Sequence, residues 1–259
     1  MMRVIKSLTV LLILILLTSC LNEQPRQEIV FDQIQFEKVG ELHNEALVFS
    51  LKNSVKLPEK RNQLQWIENN LQTTLSKEYD FYRRHGFKLD EELLNMLQRG
   101  NTQEIFNRIE SLELSPEGKF LLQDIGHKIL ENPNINDFYL YLDRALSKAR
   151  KNLNPEELVI IFSAASIAKS SMQLWYPQEK GGEGGLSYLP HSEIAQLRGI
   201  NWGKIILSDY VGIVTGATAA VVATGGAAAI PNPALGGLPP ASVIGLIEGA
   251  GMSLGAAIN

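Results

Sequence analysis

Residues 210–230 read YVGIVTGATAAVVATGGAAAI and residues 241–257 read ASVIGLIEGAGMSLGAA, and these two runs decide the fold. Between Asp209 and Glu248 the chain carries no Asp, Glu, Lys or Arg. Small residues return at every fourth position: Gly212, Gly216, Ala220 and Thr224 in the first run, then Ala241, Gly245, Gly249, Ser253 and Ala257 in the second. Residues four apart stack on one face of a helix, so each run presents a stripe almost free of side chains. Two such stripes let helix backbones approach closely. Pro231-Asn232-Pro233 and Pro239-Pro240 interrupt the chain between them. The expectation is a helical hairpin within residues 200–259, packed through Gly212, Gly216, Ala220, Gly245, Gly249 and Ser253.

Composition leaves the surroundings of that hairpin open. In residues 210–230 the strongly apolar side chains are Val211, Ile213, Val214, Val221, Val222 and Ile230. Together they favour membrane insertion by about 2 to 3.5 kcal/mol. The glycines, threonines and Tyr210 of the same run oppose it, and the sum lies near zero. Glycine in a water-exposed helix costs about 1 kcal/mol against alanine, so so many glycines call for close packing of some kind. Three arrangements satisfy the pattern: the dry centre of a soluble fold, a membrane-engaging or self-associating hairpin, and a mobile tail.

Upstream, residues 31–176 read as a domain of short amphipathic helices. Val39, Leu42, Ala46 and Phe49 recur at spacings of three and four, as do Leu64, Ile67, Leu71 and Leu75. Leu89, Leu93, Met96 and Leu97 follow, with Asp90, Glu91 and Glu92 at the positive end of a helix. Asn101-Thr102 caps the stripe Ile105, Ile109, Leu112. Ser115-Pro116-Glu117 starts a helix carrying Phe120, Leu121, Ile125 and Ile129. Asn136 or Asp137 starts another through Leu140 and Leu146, and Asn154-Pro155-Glu156-Glu157 opens a core helix from Leu158 to Trp175. No window alternates like a strand, so the fold class is all-α: a bundle of short helices followed by the small-residue hairpin.

Residues 177–199 read as a Gly/Pro-rich linker. Gly181 to Gly185 lacks the Lys-Ser/Thr and the preceding strand that a phosphate loop needs.

At the other end, Arg3 and Lys6 precede an apolar run, Leu8 to Leu17, that is too short to span a bilayer. This is the layout of a secretory signal. Leu17-Thr18-Ser19-Cys20 contains the only cysteine of the chain and resembles the lipobox of bacterial lipoproteins. The resemblance implies that residues 1–19 are removed, that Cys20 is lipidated, and that residues 20–30 form a polar tether. Losing the leader removes two bases and no acid, so the net charge moves from −4 to about −6. An acidic chain without a basic stripe is poorly suited to nucleic acid. With Cys20 acylated, neither an internal disulfide nor a thiolate metal site is open to it.

Catalytic sets are not apparent, and the chain is expected to be no enzyme and to need no cofactor. His43, His85, His127 and His191 have no metal-ligand spacing, so no metal site is expected. Glu41 and Glu45 flank His43 at helical spacing, which places it on an exposed face. Glu91-Glu92 and Glu156-Glu157 suit the helix dipole rather than acid–base chemistry. Trp202 and Tyr210, on either side of Lys204, fit a membrane-boundary pair as well as they fit a core.

Val39-Gly40-Glu41-Leu42-His43-Asn44-Glu45, the Ser166 to Ser171 segment ending in Trp175, and the tail from Asp209 resemble uncharacterised secreted or lipidated proteins of Bacteroidetes-like bacteria. The tail is also similar in texture to glycine-zipper tails of bacteriocin-like peptides. No activity comes with the first resemblance, and the second implies association with membranes. The expected function is a non-enzymatic envelope lipoprotein on the exported side of the inner or outer membrane, whose C-terminal hairpin self-associates or engages membrane in a bacteriocin-like way. Its partners would be the membrane, through the lipid, and a second copy or another protein through the hairpin. The alternative is an envelope-anchored binding module for a protein or glycan, with the hairpin serving as core.

Overall fold

A computed structural model describes residues 33–53, 62–188 and 202–257. The leader, Cys20, the tether, His191 and residues 189–199 of the linker lie outside the described residues. Ten α-helices occur among the described residues, and no strand does: α1 Gln33–Lys52, α2 Gln63–Thr74, α3 Ser76–Arg84, α4 Glu91–Arg99, α5 Thr102–Glu110, α6 Pro116–Leu130, α7 Ile135–Asn152, α8 Pro155–Trp175, α9 Trp202–Ala223 and α10 Pro240–Ala257. The all-α class with a C-terminal helical hairpin is what the structure shows.

Local chemistry sets the helix starts. Ser115 accepts from the N–H of Gly118 at 3.0 Å and Asn154 from that of Glu157 at 2.8 Å, each followed by proline at the first helical position. Asp90 and Asn101 cap α4 and α5 in the same way. Helix α7 is capped by Asn134, ahead of the expected Asn136 or Asp137, and the Asn134 side chain takes the N–H of Asn136. The stripe through Leu75 is split: the backbone leaves the helical region at Leu75, so α2 and α3 are separate helices.

Four helices make the centre. The densest packing joins α9 to α10, followed by α9 with α8 and α1 with α8, while α10 also touches α1 to α4. Helices α8, α9 and α10 are long and apolar enough to cross a membrane. In this fold they are covered: 83% of the α9 window and 89% of the window ending in α10 is buried. The described residues form one compact unit, in which the hairpin is the core and the earlier helices enclose it.

The glycine stripes meet. A Cβ on Gly212 would lie 2.8 Å from the Cα of Gly249, and one on Gly216 would lie 3.1 Å from the Cα of Gly245. From the other side, a Cβ on Gly245 would lie 2.7 Å from the Ile213 carbonyl oxygen, and one on Gly249 would lie 3.0 Å from that of Asp209. Ala220 and Ser253 are fully buried. Helix α10 has a second small face that the four-residue pattern does not reveal: Gly251 and Gly255 receive the side chains of Leu89 and Leu94.

Several expected stripes are rotated. Phe120 is 59% exposed, Leu140 61% and Phe49 37%, and their places in the core are taken by neighbours such as Leu122, Phe138 and Leu47. The first part of the linker is packed: Gly182 lies against the Tyr176 backbone and Gly185 against the Trp175 ring.

Candidate functional site

Helix α1 buries Phe36, Val39, Gly40, His43, Ala46, Leu47 and Ser50, a repeat of three and four interrupted by polar and small residues. Gly40 permits close contact with α8, since a Cβ there would lie 2.8 Å from the Ser166 carbonyl oxygen. Around this crossing Ser166 Oγ donates to the Phe36 carbonyl at 2.5 Å and Asn44 Nδ2 to the Ser170 carbonyl at 2.8 Å.

Beneath it lies a buried Ser–Asp–His group drawn from three helices. Ser171 Oγ donates to Asp209 Oδ2, and His43 Nε2 stands 3.5 Å from Asp209 Oδ1, with all three side chains excluded from water. His43 is therefore not on an exposed face. It lies on the α1 core stripe, and its Nδ1 stands 3.2 Å from Asn44 Oδ1. In a nucleophilic triad the imidazole stands between hydroxyl and carboxylate, so that it can take the hydroxyl proton. Here the carboxylate contacts both, and Ser171 Oγ donates to Asp209. The group ties α1, α8 and α9 together.

Glu248 makes a second tie. Its carboxylate accepts from the Tyr82 hydroxyl at 2.5 Å and from the Asp90 N–H at 3.3 Å, joining α10 to α3 and the start of α4. Burial raises its pKa to about 7, against the lowering effect of those two donors. The same burial, with the Glu248 charge, lifts the Tyr82 phenol well above its usual value. Asp209 and Glu248 flank the charge-free interval in sequence, yet both are nearly or fully buried. A charge on an otherwise apolar helix needs a buried partner, and that signal points to both residues. Tyr210 is core as well, its hydroxyl donating to the Leu122 carbonyl at 2.9 Å.

On the outside of the α1–α8 crossing a groove runs between α1, α7 and α8. A small cavity of about 160 Å³ involves Phe36 and Phe162, and a shallow depression of about 680 Å³ involves Asn44, Phe49, Gln173 and Tyr188. Tyr139 and Lys169 line both, with the Lys169 ammonium 4.9 Å from the centre of the Tyr139 ring. Glu41, Glu45 and Glu183 stand along the depression. Among the described residues no cluster of His, Cys, Asp and Glu has the makings of a metal site.

The structure thus brings together Gly212, Gly216, Gly245 and Gly249, and it places Ala220 and Ser253 inside the fold. Sequence reasoning did not reach the two carboxylate ties or the groove. No protein-family model, curated protein or solved structure matches this chain.

Proposed function

We propose that this chain is a lipid-anchored envelope protein that acts by binding, with the groove across α1, α7 and α8 as its recognition surface. One observation carries this reading. The hairpin, whose composition invites a membrane role, is enclosed by the other helices, and the groove is a shaped surface turned outward. Leu17-Thr18-Ser19-Cys20 supports the anchor on the exported side of the membrane. Phe49 offers an aromatic face, Tyr139 and Tyr188 each have one ring face under a lysine (Lys169 and Lys52), and Asn44, Gln173 and Glu45 offer donors and acceptors beside them. Aromatic faces with amide and carboxylate neighbours suit the alternating CH faces and hydroxyls of a sugar ring, so a glycan is the favoured ligand.

Titration with envelope-derived oligosaccharides, followed by tyrosine and tryptophan fluorescence, tests the groove. Tyr139→Ala is expected to weaken binding about tenfold or more. Equal affinity for Tyr139→Ala, Phe49→Ala and the parent rejects the groove.

A second reading has one observation in its favour, the three helices with the length and apolarity to cross a membrane. In it the hairpin leaves the bundle to self-associate or to enter lipid. Proteolysis separates the two. A detergent-free chain whose residues 202–257 resist cleavage supports the core role, and cleavage there that lipid suppresses supports the mobile hairpin.

A further inference from the structure

The hairpin helices are enclosed, but the turn between them is not. Val222 and Ile230 are 42% and 47% exposed, and the residues around them, Ala223, Thr224, Gly225 and Ala227, also face water. No charged residue lies within the turn, since the whole interval from 210 to 247 lacks one. Unlike Phe120, which has Lys148 over its ring, these two side chains stand in an uncharged part of the chain.

The turn also satisfies much of its own backbone. Thr224 Oγ1 accepts from the Ala228 N–H at 2.9 Å, and the Asn232 side chain accepts from the Ala234 N–H at 2.9 Å. The Asn232 N–H donates to the Leu238 carbonyl at 3.1 Å and the Gly237 N–H to the Asn232 carbonyl at 3.0 Å. Left-handed backbone at Gly225, Gly226, Gly236 and Gly237 makes this compact path accessible without Cβ strain. A segment whose amides are already paired loses little on leaving water, and unpaired ones would cost several kcal/mol each in lipid.

The turn lies where the chain enters the bundle. Gln35, in the first turn of α1, reaches the surroundings of Gly237, where a Cβ would stand 3.8 Å from the Gln35 side-chain nitrogen. Twelve residues separate Cys20 from Gln33, a reach of at most about 47 Å over the thirteen steps. A lipid on Cys20 therefore keeps the start of α1, and with it the surroundings of Gly237, within that reach of the bilayer. The carboxylate of Glu156 lies beside Gly226, which favours a zwitterionic surface over an anionic one.

We propose that the hairpin turn is a second membrane contact: Val222 and Ile230 seat in the lipid interface beside the tether, while α9 and α10 remain in the bundle. The contact deepens the anchored-protein reading and rests on lipid at Cys20. Two weak apolar contacts beside one lipid anchor lengthen residence without turning the protein into a spanning one.

The test uses the mature full chain on phosphatidylcholine vesicles. Transfer between vesicles is compared for the parent, for Val222→Asp/Ile230→Asp, and for Phe120→Asp/Leu140→Asp. The first pair is expected to transfer about tenfold faster and the second pair at the parent rate. Both pairs are exposed, so the fold survives, and Val222→Ser/Ile230→Ser should give a smaller change in the same direction. Equal rates for the parent and the turn variants overturn the contact. Faster transfer of the Phe120/Leu140 pair alone moves the contact to the α6–α7 face and also overturns it. The mass of the amino-terminal peptide reads the lipid separately. A free Cys20 thiol overturns the anchored-protein reading together with the contact that rests on it, whereas a lipidated Cys20 with equal transfer rates overturns the contact alone.

Discussion

Helices α9 and α10 touch through their backbones, whereas α4 to α7 hold to the bundle through side chains. At the α9–α10 contact a single added carbon meets a Cα, a carbonyl or the stem of Glu248. In the outer layer, Leu94, Ile105, Leu121 and Phe138 fill space that neighbouring side chains leave. The difference bears on tolerance. A side-chain interface relaxes by changing rotamers, and a backbone interface has none to change. The polar ties follow the same division. Asp209 and Glu248 are buried on the hairpin, while the outer layer has exposed pairs such as Arg99–Glu104 at 3.0 Å, which contribute little.

The sharpest way to break this comparison is Gly216→Leu, whose side chain would enter space held by Glu248 and Gly245. A loss of at least ~4 kcal/mol in urea unfolding, or failure to fold, is expected. A loss under ~1 kcal/mol would show that the helices separate readily. Asp209→Ala comes next, at about 3 to 5 kcal/mol, because it leaves His43 and Ser171 buried without their partner. A double cycle with His43→Leu measures how much of that loss belongs to the pair.

Glu248 sharpens the comparison through pH. Its pKa is about 7 in the fold and near the ordinary carboxyl value of 4.5 when unfolded. Between these values the folded state binds more protons, so stability rises as pH falls from about 7 to 4.5. The span corresponds to about 3 kcal/mol. Melting curves at pH 5 and pH 8 are expected to differ in that direction, and Glu248→Gln to remove most of the difference. A parent more stable at pH 8 than at pH 5 contradicts the assignment. In the outer layer, Ser115→Ala should cost about 1 kcal/mol through its lost cap. Phe120→Ser, at an exposed site, should change stability by less than about 0.5 kcal/mol.

Reading caps from sequence worked because caps are local. Ser115-Pro116 and Asn154-Pro155 carry their own hydrogen-bond grammar, and Asn101 needs only its own helix. Stripe phase was harder, because spacing says which residues share a face and not which face is covered. Phe49, Phe120 and Leu140 fit helical spacing yet point outward, since neighbouring apolar residues give each helix a competing stripe. His43 was read as exposed because its neighbours Glu41 and Glu45 are polar, although it sits in phase with Val39, Ala46 and Leu47. The groove was not legible at all: Phe49, Tyr139 and Tyr188 come together from distant parts of the chain.

By itself the sequence determined the helical class, the hairpin and the residues small enough to let its helices meet, because helical period and side-chain size are properties of short segments. It also carries the Leu17-Thr18-Ser19-Cys20 stretch on which the proposed anchor rests. Tertiary structure alone decided that the hairpin is enclosed rather than offered outward, that its flanking acids are sealed against Tyr82, His43 and Ser171, and that its turn is left bare. Those outcomes depend on which surfaces the remaining helices cover, and that follows from the packing of the whole chain.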